Sequence, residues 1–149
     1  MVSKIVLYEW CLNWANDKIN GIKLAIESAQ DSANSETKST AGDKHDTARA
    51  MMQLDVEQKS KQLHEAEKNK MTMSQFSTQS GTQAISLGSL VETNAGMYYI
   101  SISAGKIELP EGIVYAISPV SPIAQAMNGL KEGATFSFNG RQFTILSVS

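Results

Sequence analysis

The sequence has a single cysteine, Cys11, so no disulfide can close within the chain. It has no basic excess: 13 Lys and Arg stand against 15 Asp and Glu, a net charge of -2. A cationic face for direct binding of DNA or RNA is therefore not expected, and any action on nucleic acid should run through a partner. No apolar run approaches the roughly 20 residues that cross a bilayer. The opening stretch, Met1 to Leu7, is apolar, but Glu9, Asn13 and Asn16 follow it and no small-residue cleavage site does. Neither a signal peptide nor a membrane partner is expected, and with the lone thiol this points to the cytoplasm.

What is present begins with a seam. Ile5, Tyr8, Leu12, Ala15, Ile19, Ile22, Ile26, Ala29 and Ala33 alternate in steps of three and four. That is the period of a coiled coil, one narrow apolar stripe facing a partner helix. Gly21 weakens the run by about 1 kcal/mol relative to Ala. Trp10, Cys11 and Trp14 flank the start of the stripe and widen it, so the base of this helix is expected to touch more than its partner helix. Domain packing is the plainer reading of both tryptophans; a ligand box is the alternative.

A second helix is expected from Thr47 to about Met73, a stretch with no Gly or Pro. Its stripe runs Ala48, Met51 or Met52, Val56, Leu63, Ala66 and Met73. Lys59 and Lys70 occupy seam positions, where their stems can cover the stripe while the charges reach water. The two patterns make an antiparallel hairpin about 40–45 Å long at 1.5 Å per residue. Its turn reads Ala41-Gly42-Asp43-Lys44-His45-Asp46-Thr47-Ala48. Asp43 and Asp46 are each good N-cap residues. With His45 they also suggest an incomplete metal shell, one that a partner would have to finish. The hairpin seam could also pair between chains, so the oligomeric state stays open.

Ser74 to Ser89 carries no charge and is rich in Ser, Thr, Gln and Gly. It separates residues 1–75 from residues 76–149. Beyond it come short strands: Leu90 to Thr93, Met97 to Ser103, Lys106 to Leu109 and Ile113 to Ile117. Asn139-Gly140 marks a type I′ hairpin between Thr135–Phe138 and Arg141–Val148. One short helix interrupts them, with Ser121 as N-cap, Pro122 at N1 and Gly129 closing it. The fold class is α+β: a two-helix coiled coil, then a small antiparallel β domain with one short helix. Tyr98, Tyr99, Tyr115, Phe136, Phe138 and Phe143 are expected in the core and on the sheet surface. No nucleophile–base pair and no Cys or His cluster stands in this half.

The segment from Ile117 to Gly133, with Ser118-Pro119, Ser121-Pro122, a small apolar helix, then Gly129, Lys131 and Gly133, resembles the C-terminal domain of Gre transcript-cleavage factors. Leu87-Gly88-Ser89-Leu90-Val91 is similar to the start of that domain. The likeness covers roughly the last 65 residues and implies an FKBP-like fold. The family's coiled-coil tip reads Gly-Asp-x-Ser-Glu-Asn-Ala. Gly42, Asp43 and Ala48 match it. His45 stands in place of Ser, Asp46 in place of Glu, and Thr47 in place of Asn.

The resemblance implies a transcription elongation factor that docks on RNA polymerase at its secondary channel. The partner contact would fall around the short helix, at Ser121, Pro122 and Gln125. Asp43 and Asp46 would assist the polymerase active site by sharing its second Mg²⁺, with no cofactor bound independently, so that backtracked RNA is cleaved. The chain would then be an accessory factor, not an enzyme in its own right. A secondary-channel regulator that binds without cleavage is the alternative. An FKBP-like fold also raises a prolyl isomerase or chaperone, for which no proline pocket is evident.

Overall fold

A computed structural model describes residues 2–39, 43–79, 81 and 83–149, with side chains described outside residues 33–46. Two long helices, α1 (Lys4–Ser39) and α2 (Asp43–Met73), precede six strands: β1 (Leu90–Thr93), β2 (Gly96–Ile100), β3 (Gly105–Leu109), β4 (Gly112–Ile117), β5 (Thr135–Phe138) and β6 (Arg141–Val148). A third helix, α3 (Pro122–Met127), lies between β4 and β5. The chain divides into two compact units, Ala15–Lys68 and Met1–Trp14 with Asn69–Ser149.

In the first unit the helices bury the stripes their spacing dictates. Ala15, Ile19 and Ala66 are buried, and Ile22, Ile26, Ala29, Met52, Val56 and Leu63 are half-buried. The expected stripe of α2 is resolved at two points. Met52, not the exposed Met51, occupies the seam, and Asn69 takes the place expected of Lys70, which is exposed. Lys59 is on the stripe, and its ammonium pairs with Asp55 at 2.5 Å. The acid one turn before the base is the favourable order for such a pair.

In the second unit the sheet order is β3-β4-β2-β1-β6-β5. The expected antiparallel sheet is corrected at one seam, because β2 and β4 run parallel, with Tyr98 beside Tyr115 and Tyr99 beside Ala116. The cause is the segment after β2. The strand ends at Ile100, three residues short of the expected Ser103. Ser101 to Ala104 then crosses the end of β4 to reach β3, with Ser101 N donating to Ile117 O at 2.8 Å. Ser101 and Ile102 are buried in this crossing. A two-residue hairpin would have put β3 beside β2; the longer crossing leaves room for β4 between them.

The remaining turns follow their local chemistry. Asn139 and Gly140 both have positive φ, 51° and 73°, as a type I′ turn requires. Between β1 and β6 the register slips at Glu92/Thr93, leaving Leu146 without an opposite residue and largely exposed.

Strand alternation gives the sheet two apolar faces. One carries Val91, Ile100, Phe136, Phe143 and Ile145, packed with Ala124 and Met127 of α3 and with Ile85. The other carries Leu90, Tyr99, Ile107, Val114 and Ala116, all buried. Here the bases of α1 and α2 supply the cover. Phe76 stands edge-on to Tyr8 (5.7 Å between centroids, 83°) and to Tyr99 (6.1 Å, 79°). Tyr8 donates its hydroxyl to Met73 O at 2.7 Å. This second partner also shifts the start of the α1 stripe. Leu7 and Cys11 are fully buried, whereas Ile5, the expected first seam residue, is 56% exposed.

Gly88 backs this ring stack. Its φ is +91°, and a Cβ there would lie 2.9 Å from the Phe76 ring. Gly88→Ala is expected to destabilise the protein by roughly 1–3 kcal/mol, from backbone strain and overpacking together. Gly21→Ala, whose new Cβ meets nothing within 4 Å, is expected to stabilise it by about 0.5–1 kcal/mol. Urea unfolding of both variants checks the pair; equal midpoints would refute the wedge at Gly88.

Candidate functional site

Asp43 and Asp46, the expected tip carboxylates, have side chains that lie outside the described residues, as does His45. The backbone places α2 from Asp43 onward, so both aspartates belong to its first turn. Among the described residues no group of three or more His, Cys, Asp or Glu side chains could hold a metal ion.

The expected docking residues on α3 are described in full. Ser121 has extended backbone (φ −64°, ψ 149°), and its hydroxyl accepts from Ala124 N at 3.4 Å while donating to Ser118 O at 2.7 Å. That hydroxyl is committed to the cap. Pro122 at N1 lacks the N–H that would go unsatisfied there, and Gln125 N donates to Ser121 O at 2.9 Å. The side chains of Pro122 and Gln125 are exposed, three residues apart and so on one side of the helix. Val120, just before the cap, is 73% exposed and extends this surface with an apolar group. Sequence reasoning passed over Val120, although a branched aliphatic beside a helix start is a signal it could have used. Gly129, with φ +80°, ends the helix as expected, and Ala124 and Met127 turn the opposite side of α3 into the core.

Beside α3 the sheet shows aromatic surface. Tyr98 and Tyr115 lie 6.1 Å apart and tilted by 33°, and Tyr115 and Ile113 are each about 40% exposed. Burial pushes the Tyr98 phenol up, Tyr115 adds to the effect, and the Arg141 guanidinium opposes it. Arg141 itself stands over the Phe143 ring at 5.5 Å.

At the helix base a small polar group is enclosed. Cys11 Sγ is 3.8 Å from Ser101 Oγ, and both side chains are buried. Burial pushes the Cys11 thiol up to about 11, with the Ser101 contact pulling slightly the other way. A nucleophilic or metal-binding cysteine needs its thiolate, so this residue is built for packing. Burial also pushes the neighbouring Tyr99 phenol up strongly.

Two measurements follow from these groups. The unfolded chain ionises its thiol near 9.0, before the folded protein does. The stabilisation is therefore complete below pH 9 and is lost as pH rises toward 11, by about 2–3 kcal/mol. Thermal unfolding of Cys11→Ala should show a shallower alkaline decline than the parent protein; an unchanged slope would count against the buried thiol as its cause. On α3, Ser121→Ala should cost about 1 kcal/mol through loss of the cap. Gln125→Ala should stay within about 0.5 kcal/mol of the parent. Chemical denaturation separates the two, and a neutral Ser121→Ala would show that the hydroxyl does not hold the helix.

No helix among the described residues is long and apolar enough to cross a membrane. No family model and no curated protein matches the chain. Among solved structures, one titled "Structure of the transcription factor Gfh1" aligns with 93% of this chain and 92% of its own, at 16% identity and a TM-score of 0.37. A likeness at that level carries no argument for a shared function.

Proposed function

We propose that this protein is a Gre-like factor that binds RNA polymerase at its secondary channel and stimulates cleavage of backtracked RNA by the polymerase's own active site. The observation that carries the reading is the sequence at the start of α2: Gly42-Asp43-Lys44-His45-Asp46-Thr47-Ala48 keeps two acids, three residues apart, where the Gre tip has them. The order of elements supports it, two long helices and then a sheet with one capped short helix. The resemblance from Ile117 to Gly133 falls on the segment from the end of β4 through α3.

Two carboxylates are hard oxygen donors suited to Mg²⁺, but they supply fewer ligands than its octahedral shell takes. The donor set therefore fits a metal shared with a partner, with Asp43 the nearer match to the family's ligand and Asp46 holding metal or water. When bound, the ion would supply an activated water and charge neutralisation for phosphodiester hydrolysis. The chain's own part is to present the acids and to anchor on the polymerase. Pro122 and Gln125, exposed on α3, are the proposed anchor, and Ser121 holds the helix that carries them. Polymerase is the proposed partner, nucleic acid is reached only through it, and the cytoplasm is the proposed location.

The departures at the tip favour one second reading. Asp46 is a methylene shorter than Glu, and Lys44 and His45 set positive or titratable groups beside the acids. A channel regulator that occupies the site without promoting cleavage would carry such changes.

An RNA-cleavage assay on a stalled, backtracked complex with the cognate polymerase tests both readings. Shortened transcripts should appear with the protein and Mg²⁺. Asp43→Asn should reduce their rate by roughly tenfold or more, equivalent to about 1.4 kcal/mol of lost transition-state stabilisation, while binding to core polymerase persists. Binding with no cleavage by the parent protein would establish the regulator. Absence of polymerase binding would reject both.

A further inference from the structure

We propose that the uncovered end of the sheet's second face is a docking cleft for a basic segment of a partner protein, an arginine flanked by aliphatic residues. Tyr99, Ala116, Val114 and Ile107 are buried on this face, with Phe76 against Tyr99, but the face continues past them. Register puts Glu92, Met97 and Ser147 side by side on β1, β2 and β6. These residues, with Leu90, Glu111 of the β3–β4 turn and Ile5 of α1, line an open cleft of about 450 Å³.

Three observations give the occupant its chemistry. First, the cleft holds two carboxylates, Glu92 and Glu111, that make no ion pair among the described residues. Glu92 has one partner, the Ser147 hydroxyl at 3.5 Å, and Glu111 takes part in no ion pair or hydrogen bond among the described residues. Lys4, the basic residue on the wall, turns its ammonium to Gln79 O at 3.2 Å. Second, the cleft is also lined by apolar side chains, Leu90 and Met97. They can take the methylene stem of a long cationic side chain while its head meets carboxylate. Third, the rim is apolar and wet: Ile5, at the start of α1, lines the cleft and is an exposed branched residue. A free inorganic cation would use the acids and leave this apolar surface unused. A guanidinium on an aliphatic stem, with an aliphatic neighbour on the rim, uses all three features, and its planar fork suits carboxylate recognition. Neither the tip of the hairpin nor the exposed side of α3 enters this proposal, so it stands apart from the polymerase reading.

The test is an amide chemical-shift titration of the intact protein with acetyl-Leu-Arg-Leu-amide. The isosteric control is acetyl-Leu-Gln-Leu-amide. Saturable shifts are expected at Leu90, Glu92, Met97 and Ser147 with the arginine peptide. The apparent affinity should fall by roughly tenfold or more in Glu92→Gln/Glu111→Gln and with added salt. A single reversal, Glu111→Lys, in a residue that makes no ion pair or hydrogen bond among the described residues, should have the same effect if the double variant proves unstable. Equal shifts with the glutamine peptide, or an affinity indifferent to the substitutions, would overturn the proposal. So would concentration-dependent self-association in sedimentation that the same substitutions abolish, since that would assign the cleft to a second copy of the chain.

Discussion

The constraint on which the sheet-bearing unit depends is that its sheet has two apolar faces and only one helix of its own. The single short helix α3 buries Val91, Ile100, Phe143 and Ile145 on one side. Tyr99, Ile107 and Val114 on the other side would face water without a second cover. The bases of the two long helices provide it, and the contact is made by rings: Phe76 between Tyr8 and Tyr99, with Gly88 contributing backbone alone where a side chain would collide. Burying a large aromatic side chain stabilises by about 1.5–3 kcal/mol. Three rings sharing one contact therefore outweigh a surface pair such as Lys106–Glu108 on the exposed edge strand.

From that cover follow the polar details at the base. Tyr8 sits among apolar groups yet reaches a carbonyl at Met73. Cys11 and Ser101 meet where α1 lies over the crossing after β2. Each group has a body that packs and a polar atom with a short reach. The cover is also partial, because two helix bases are narrower than a six-stranded sheet. What they leave open on that face is lined by Glu92, Met97 and Ser147. On the opposite face α3 leaves Tyr115 and Ile113 partly bare. The exposed apolar patches of this unit are thus the remainders of its burial problem.

The functional reading rests on a different part of the chain. The two acids of the turn recommend themselves by identity and spacing, and they fall in the first turn of α2. In the proposed function they would contribute to a metal shell completed by a partner. Pro122 and Gln125 are exposed for a plain mechanical reason. Ser121 spends its hydroxyl on the cap, while Ala124 and Met127 take the core side of a helix of six residues. What remains exposed is the outer side, continued by Val120.

Much of this was legible in the residues, wherever the signal was local. Steps of three and four gave the long helices. Asn139-Gly140 gave a two-residue turn with both φ values positive, and Ser121-Pro122 with Gly129 bounded the short helix, because each feature depends on atoms within a few residues. The acidic pair of the tip stands out in the same way, from type and spacing, whereas Ser121, Pro122 and Gln125 are docking candidates only through the resemblance to Gre factors. Which strand lies beside which was not legible. Alternation in β2 and β4 reads the same for either direction of pairing, and only the path of Ser101 to Ala104 over the end of β4 made them parallel. Nor could the stripe of α1 show that Leu7 and Cys11 would be buried in place of Ile5. A helix records which side is apolar, but burial at its base was decided by groups far off in the chain, such as Ser101 just after β2, 90 residues from Cys11.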